Sequence, residues 1–162
     1  MPSGTRVGWG FDAHSLDGDP PLLLGGVVVS DLVGARATSD GDLLAHALAD
    51  ALFGACALGD LGEHFPSDDA ASHGADSMEL LRSAVARSGD SGWQPVHVDV
   101  TVVAEEVRIA PHREQIRSNL AEALGLEVGA VSVKATTTDG LGFIGRGEGL
   151  AVVAVVTVIA RQ

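Results

Sequence analysis

The segment from Leu150 to Ile159 limits the fold more than any other part of the chain. It is apolar at nearly every position, so a strand formed here presents apolar side chains on both of its faces. Such a strand is stable in a sheet whose two faces are both covered. Three helical segments, described below, are enough for one face. We therefore expect an α/β (α+β) fold, a mixed β-sheet with three main helices packed on one face and a second subunit burying the other.

The composition favours one compact domain and excludes several kinds of partner. With 46% hydrophobic and 20% charged residues, the chain is expected to form a single domain over residues 1–162. Its net charge of −12 argues against nucleic acid and anionic membranes as partners. The apolar runs are too short to cross a bilayer, and the N-terminus lacks the apolar core of an export signal. The single cysteine, Cys56, permits no intramolecular disulfide, and we expect a cytoplasmic protein.

The N-terminal third begins with predicted strands. A short apolar stretch predicts a strand over Thr5–Trp9, followed by a glycine-containing loop that presents Asp12 and His14. Residues Leu22–Val29 predict a hairpin or bent strand, because the Gly25-Gly26 pair between apolar runs favours a turn or a bulge.

Apolar residues at three- and four-residue spacing predict three helices. These run from the capping segment Ser39-Asp40-Gly41-Asp42 to about Leu58, from Asp76 or Ser77 to Arg87, and from Pro111 to a stop at Gly125. The polar, turn-rich residues 59–74 predict a mobile loop. Valine-rich alternation predicts further strands over Val96–Val103 and Val131–Thr136.

Asp12 and His14 are candidate metal ligands. Two residues apart on an extended segment, their side chains lie on the same side of the chain. Among the remaining histidines, His46 stands out as a third ligand, because it follows the acidic cap in the first turns of a helix. Two histidines and an aspartate with an open fourth position are typical of catalytic zinc. The alternative is a surface carboxylate beside a hydrogen-bonded histidine. The other candidates for the third ligand are His64, His73, His97 and His112.

Two further segments are candidate phosphate sites. Ser39-Asp40-Gly41-Asp42 either caps its helix only or also leaves free N–H groups for an anion. Residues 136–149 combine three consecutive threonines, several glycines, Asp139 and Arg146. This composition favours close backbone contact with phosphates, a hard divalent ion on Asp139 and a phosphate oxygen on Arg146. The alternative is a solvated loop between two strands.

Five sequence blocks, in order and covering nearly the whole chain, resemble one enzyme family. They are RVGxGFDxH at 6–14, SDGDxxxHALxDAL at 39–52, ALGDLGxxFP at 57–66, ADSxELLR at 75–82 and KATTTDGLGFxGRGEG at 134–149. In these blocks the chain resembles 2-C-methyl-D-erythritol 2,4-cyclodiphosphate synthase. The resemblance implies a homotrimer with active sites between adjacent subunits, which agrees with the last strand being apolar on both faces.

The resemblance also implies an activity, that of a phosphorus-oxygen lyase. A metal-dependent intramolecular phosphoryl transfer would convert 4-diphosphocytidyl-2-C-methyl-D-erythritol 2-phosphate to the 2,4-cyclodiphosphate and CMP, in the non-mevalonate route to isoprenoids. The partner would thus be a small cytidine diphosphate substrate. Zn²⁺ would be held by Asp12, His14 and His46, and Mg²⁺ or Mn²⁺ by Asp139 together with the substrate diphosphate.

Substrate contacts follow from the same resemblance. Thr137 is expected to stabilise the transition state, and Thr38 occupies a second catalytic position. Contacts to the methylerythritol part are expected from Asp60, Leu61, Gly62, Phe65, Pro66, Ser67, Asp68 and Asp69. The cytidine loop spans Ala104 to Ala110, with contacts from Ala104, Arg108, Ile109 and Ala110. Further contacts are expected from Asp12, Ala13, His14, Ser39, Thr136, Thr138, Asp139, Phe143 and Arg146.

The chain departs from the family's pattern at three places. Thr38 replaces the histidine of the HSDGD motif, which helps to hold the reacting phosphate, and a hydroxyl carries no positive charge. The family's FPDTD is FPSDD at 65–69, and its AxxPKxxP cytidine loop is AEEVRIAP at 104–111. Two alternatives therefore stay open: a divergent homologue with an altered substrate, and a non-catalytic trimer that binds isoprenoid diphosphates.

Overall fold

The computed structural model describes residues 3–162, which contain six strands and five α-helices. In chain order these are β1 (Thr5–Ser15), β2 (Leu22–Leu24), β3 (Val27–Ser30), α1 (Leu43–Cys56), α2 (Leu61–His64), α3 (Ser77–Asp90), β4 (Trp93–Val103), α4 (Arg113–Leu124), β5 (Val131–Thr136), α5 (Gly142–Gly145) and β6 (Gly149–Ala160). None of the helices in this part of the chain is long and apolar enough to cross a membrane.

The main sheet has the strand order β1-β6-β4-β5. Strand β6 lies between β1 and β4 and is antiparallel to both, whereas β5 is parallel to β4. Strands β2 and β3 form a separate hairpin, as predicted, and Gly25 and Gly26 both have positive φ angles in its turn. The mixed sheet expected from the sequence is confirmed.

One face of this sheet is covered by helices and the other is open in the single chain. Helix α1 packs on β1 and β6, α3 on β4, and α4 on β5. The side chains of β6 that face the helices, such as Val152 and Val156, are fully buried. On the opposite face Val7, Trp9 and Phe11 are 65%, 62% and 48% exposed. The three main helices therefore cover one face, and an apolar face remains.

Strand β1 is longer than the sequence indicated. The prediction that the strand ends at Trp9 and that a loop presents Asp12 and His14 is wrong, because β1 pairs with β6 continuously from Thr5 to Ser15. Its residues alternate between the open face and the helix-covered face over the whole length. The two candidate ligands thus lie on a rigid strand, on the face covered by α1.

Other boundaries differ by short local elements. The predicted loop over residues 59–74 contains α2 and a 3₁₀ turn at Ala70–Ser72, and the glycine-rich segment before β6 contains α5. Helix α3 continues to Asp90, beyond the predicted break at Ser88, whose hydroxyl donates to the Ala84 carbonyl within the helix. The third predicted helix begins with a 3₁₀ turn at Ala110–His112. Helices of one turn are too short for a periodic pattern to reveal them.

Two glycines bring β1 and α1 into close contact. A Cβ atom added at Gly8 would lie 1.8 Å from the carbonyl oxygen of Ala51, and one at Gly10 would lie 2.0 Å from that of Ala47. Real Cβ atoms do not approach backbone oxygens this closely, so β1 and α1 can pack backbone to backbone only because both positions are glycine. This contact sets the distance between His46 on the helix and Asp12 on the strand.

Candidate active site

Asp12, His14 and His46 form one group on the helix-covered face of the sheet. The Oδ2 atom of Asp12 lies 3.1 Å from Nε2 of His14 and 3.2 Å from Nδ1 of His46. One donor atom from each residue lies within 4.8 Å of the other two, and all three side chains are half-buried. Two imidazole nitrogens and one carboxylate oxygen fit a zinc ion and leave a fourth position open.

Each histidine is oriented by a hydrogen bond on its other nitrogen. Nδ1 of His14 lies 2.7 Å from the carbonyl oxygen of Arg36, which can only accept, so Nδ1 carries a hydrogen and Nε2 is the nitrogen that faces Asp12. Nε2 of His46 lies 2.9 Å from the hydroxyl of Ser77. In metal sites, such contacts fix the tautomer and the orientation of the ring.

The charges within the group favour an ionised carboxylate. Burial disfavours the charged form of Asp12, but hydrogen bonds and charge from His14 and His46 outweigh it and lower the pKa of Asp12 to about 2. The hydrogen bond to Asp12 raises the pKa of His14, although burial opposes this. A proton on His14 is therefore held more tightly than usual. A metal ion that binds Nε2 of His14 must displace this proton, so metal binding is coupled to proton release.

The N-terminus of α1 is capped from within the fold. The cap is Asp42, whose buried carboxylate accepts hydrogen bonds from the N–H groups of Leu44 and Ala45 in the helix and of Gly25 and Gly26 in the hairpin. Because this carboxylate accepts from Leu44 and Ala45, these two N–H groups are not available to an anion, and the anion site at residues 39–42 stays a prediction. The capping interpretation is confirmed.

A cavity of about 210 Å³ lies beside His46. Ser39 and Thr38 form one wall, where the Thr38 carbonyl accepts a hydrogen bond from the Gly74 N–H. From the segment expected to contact methylerythritol, the cavity is lined by Leu61, Gly62, Phe65 and Ser67. The remaining members do not line it: Asp60 caps α2, Asp69 caps the following 3₁₀ turn, and Pro66 and Asp68 are exposed.

The cytidine loop lies next to residues 136–140, here called the threonine segment, at the end of β4 and β5. The carboxylate of Glu105 accepts hydrogen bonds from the N–H groups of Thr138 and Gly140, which ties the two segments. Asp139 has a φ of 53°, and its carboxylate is 3.3 Å from the hydroxyl of Thr137. Within the loop Ala104 and Ile109 are buried, whereas Arg108 lines a cavity of about 320 Å³ and Ala110 is exposed.

Asp12, His14 and His46, here called the metal group, and the threonine segment lie at opposite edges of the sheet, near β1 and β5 respectively. Thr136 on β5 pairs with Val103 on β4. Val103 pairs in turn with Ala151 on β6, and Ala151 pairs with Ala13 on β1. These are three strand spacings, or about 14 Å. Phe143 lies nearer to the metal group, since its ring packs against Gly149, beside the His14 backbone. Arg146 forms a bidentate ion pair with Glu148.

Comparison with known proteins identifies the family. Residues 5–159, nearly the whole chain, match the sequence profile of the YgbB family. The chain belongs to the YgbB family. Among curated relatives, the 2-C-methyl-D-erythritol 2,4-cyclodiphosphate synthase of Erwinia tasmaniensis is 51% identical over 154 residues, which are 95% of this chain and 98% of the relative. The synthase of Salinibacter ruber is 51% identical over 153 residues, 94% of this chain and 98% of the relative.

Solved structures of similar proteins have the same fold. The bifunctional IspDF of Campylobacter jejuni matches with a TM-score of 0.95 and 41% identity over 98% of this YgbB chain, which corresponds to 43% of the longer protein. The IspF of Plasmodium falciparum, in a complex with CDP, matches with a TM-score of 0.86 and 30% identity over the full length of both chains.

The sequence prediction missed contacts that orient the candidate ligands. The sequence patterns give Ser77 a role only as a helix cap, and give Asp40 a role only within the capping and candidate phosphate segment 39–42. Arg36 acts through its backbone carbonyl, which no side-chain pattern can signal. Glu105 lies in the predicted cytidine loop without an individual role, although its carboxylate fixes the threonine segment through the N–H groups of Thr138 and Gly140.

Proposed function

We propose that this protein is a 2-C-methyl-D-erythritol 2,4-cyclodiphosphate synthase. The observation that carries the proposal is the Asp12–His14–His46 group, whose donor atoms lie within 4.8 Å of one another beside the cavity that Thr38 and Phe65 line. Family membership at about 51% identity to curated synthases supports the same activity. The reaction would take place in the cytoplasm, where a buried free thiol such as Cys56 stays reduced.

The reaction needs positioning and charge neutralisation rather than a protein nucleophile. An oxygen of the substrate's 2-phosphate attacks the β-phosphorus, and the bond from that phosphorus to the CMP leaving group breaks. Both reacting groups belong to one substrate, so holding them in line lowers the barrier. Asp12, His14 and His46 would hold zinc, which supplies a Lewis acid for phosphate oxygens when bound.

The threonine segment would neutralise the diphosphate from the other side. Asp139 would hold Mg²⁺ or Mn²⁺, ions that take one or two carboxylates and complete their shell with substrate phosphates. The backbone N–H of Asp139 donates a 3.1 Å hydrogen bond to the Thr137 hydroxyl oxygen, so this hydroxyl lies beside the proposed ion. Thr137 would then donate to phosphate oxygens as negative charge develops. The Glu105 carboxylate fixes this segment through the Thr138 N–H.

We propose that one active site is built from two copies of the chain in a homotrimer. About 14 Å separate Thr136 from Ala13 in one chain, which is too far for both edges of the sheet to act on one diphosphate. Exposed Val7, Trp9 and Phe11 offer an apolar face through which copies can associate. Closed cyclic symmetry would bring the threonine segment of one copy to the metal group of the next.

Mixing two inactive variants tests the shared site. We expect His46→Ala and Asp139→Ala to be inactive alone, because each removes one half of the site. Co-expressed in equal amounts, they should recover up to about a quarter of the wild-type activity, the fraction of interfaces that pair an intact metal group with an intact Asp139. Purified mixed trimers, sized by light scattering, are the sample to assay. A site built within one copy would leave every mixture inactive.

The Thr38→His substitution tests the departure from the family's pattern. The histidine of the motif would supply a hydrogen bond to a charged phosphate, worth about 1.5–3 kcal/mol. We therefore expect Thr38→His to raise turnover roughly 10- to 100-fold with little change in cytidine-nucleotide affinity, because the base is read at residues 104–110. Thr5→His, at an exposed position at the start of β1, is the control. Unchanged or lower turnover in Thr38→His would favour an altered substrate.

Phosphorus NMR of the reaction products tests the activity itself. With the cytidylated 2-phosphate substrate and added Mg²⁺, the protein should release CMP and form a cyclic diphosphate. A different phosphorylated product would identify a divergent homologue. Binding of isoprenoid diphosphates without any turnover would instead identify a non-catalytic trimer.

A further inference from the structure

A buried chain of hydrogen bonds leads away from the metal group. Ser77 is fully buried at the start of α3, and its hydroxyl lies 2.9 Å from Nε2 of His46. The same hydroxyl donates to Oδ1 of Asp40. The other carboxylate oxygen of Asp40 accepts the backbone N–H of Ser77 at 3.1 Å. Asp40 and Ser77 are therefore bound to each other at two points, and Ser77 is bound to the histidine.

The direction of these hydrogen bonds follows from the donors and acceptors. A carboxylate oxygen only accepts, so the single hydroxyl hydrogen of Ser77 is used on Asp40. The Ser77 oxygen is then an acceptor for the Nε2–H of His46. Nδ1 of the same ring faces Oδ2 of Asp12 at 3.2 Å, so that when zinc is bound the hydrogen of the imidazole would stay on Nε2 and the lone pair of Nδ1 would be the donor to the metal.

This hydroxyl has no capping role at the helix end. Asp76 is the N-cap of α3, and its carboxylate accepts from the N–H groups of Met78 and Glu79. A buried serine that is not needed by its own helix still requires hydrogen-bond partners, and here those partners come from α1 and from the segment before it. The contacts thus connect α3 to the metal group across the interior of the fold.

We propose that Asp40 and Ser77 are positioning residues, which hold His46 in the Nε2–H tautomer and in the ring orientation that binds zinc. This inference rests on the zinc site of the proposed function and adds two residues to it. Outer hydrogen-bond partners of this kind raise metal affinity by about 10- to 100-fold. Ser39, whose hydroxyl is 3.4 Å from the same nitrogen, is too distant to replace Ser77.

Zinc affinity is the main readout. In competition with a chromophoric chelator, Ser77→Ala is expected to raise the zinc Kd of the full chain about 10- to 100-fold. Ser77→Thr, which keeps the hydroxyl, should stay within about threefold of the wild type. Ser88→Ala is the matched control, because Ser88 is an equally buried serine of α3 whose hydroxyl donates to its own helix at Ala84. It should leave zinc affinity unchanged.

A second measurement does not depend on any variant. Long-range ¹H–¹⁵N NMR of the zinc-loaded wild-type protein should show His46 with its hydrogen on Nε2 and with Nδ1 bound to the metal. Zinc bound to Nε2 with the hydrogen on Nδ1 would overturn the proposal, as would a Ser77→Ala zinc Kd within about twofold of the wild type, or an equal loss of affinity in Ser88→Ala. If the wild-type protein binds no zinc, the metal assignment fails and this proposal with it. If the wild type binds zinc and forms the cyclic product while Ser77→Ala binds equally well, only the positioning role is refuted.

Discussion

Replacing His46 with alanine is expected to lower kcat/KM by about a thousandfold or more. The substitution removes one of three protein ligands from a site that has no spare donor, since Asp12, His14 and His46 are the only such group in residues 3–162. Loss of the metal removes several kcal/mol of charge stabilisation in the transition state, and about 4 kcal/mol corresponds to roughly a thousandfold in rate. Steady-state kinetics and metal analysis of the same preparation measure both effects. Asp12→Ala should behave in the same way.

Two further observations make this result interpretable. His73→Ala removes an exposed histidine outside the metal group and should keep both zinc and activity. Circular dichroism and light scattering of His46→Ala should match the wild type, because the ring is half-buried and the core around α1 is made by other side chains. A His46→Ala protein with a full complement of zinc and normal turnover would refute the assignment of this residue as a ligand.

Gly10→Val is expected to destabilise the protein by about 3 kcal/mol or more, the upper range for overpacking. Its Cβ would lie 2.0 Å from the carbonyl oxygen of Ala47 and 2.8 Å from the backbone nitrogen of Ala51, both within α1. Backbone atoms in a helix cannot rotate away, so α1 must move as a unit and carry His46 away from Asp12. Urea unfolding at matched protein concentration should therefore show a lower midpoint, and zinc affinity should fall as well.

Gly54 provides the matched comparison within the same helix. It lies exposed in the last turn of α1, and nothing stands within 4 Å of an added Cβ. Gly54→Ala should therefore stabilise the protein by roughly 0.5–1 kcal/mol, the ordinary gain in helix propensity. If Gly10→Val and Gly54→Ala changed stability equally, close packing of the strand on the helix would not be the reason for glycine at position 10.

The sequence predicted most of the elements, because their patterns are local. Alternation identified β4, and three- and four-residue spacing identified α1, α3 and α4 to within a few residues. The period of a strand also placed Asp12 and His14 on one side, although the strand itself was predicted to stop at Trp9. His46 was selected from several histidines by its place after a cap, and the structure brings it to the other two ligands.

The features that the sequence did not predict depend on contacts between distant segments. The Asp42 carboxylate, besides capping α1, binds the hairpin at Gly25 and Gly26, which lie 17 and 16 residues earlier. Ser77 is buried because α3 packs against α1, and its partner Asp40 lies 37 residues earlier. The bond between Glu105 and Gly140 likewise joins positions 35 residues apart. No pattern of neighbouring residues contains this information.

The close packing of β1 on α1 fixes which residues of the strand lie against which residues of the helix. Two residues of a strand advance about 6.6 Å and one turn of helix about 5.4 Å, so Gly8 and Gly10 meet successive turns of α1 at Ala51 and Ala47, and the Asp12 side chain reaches His46 next to Ala47. An inserted residue between Gly10 and Asp12 would turn the carboxylate to the open face of the sheet, whereas the chain between Ser15 and Asp42 has loops that can absorb extra length. Insertions and deletions in the gene are therefore tolerable between the two elements and damaging within either one.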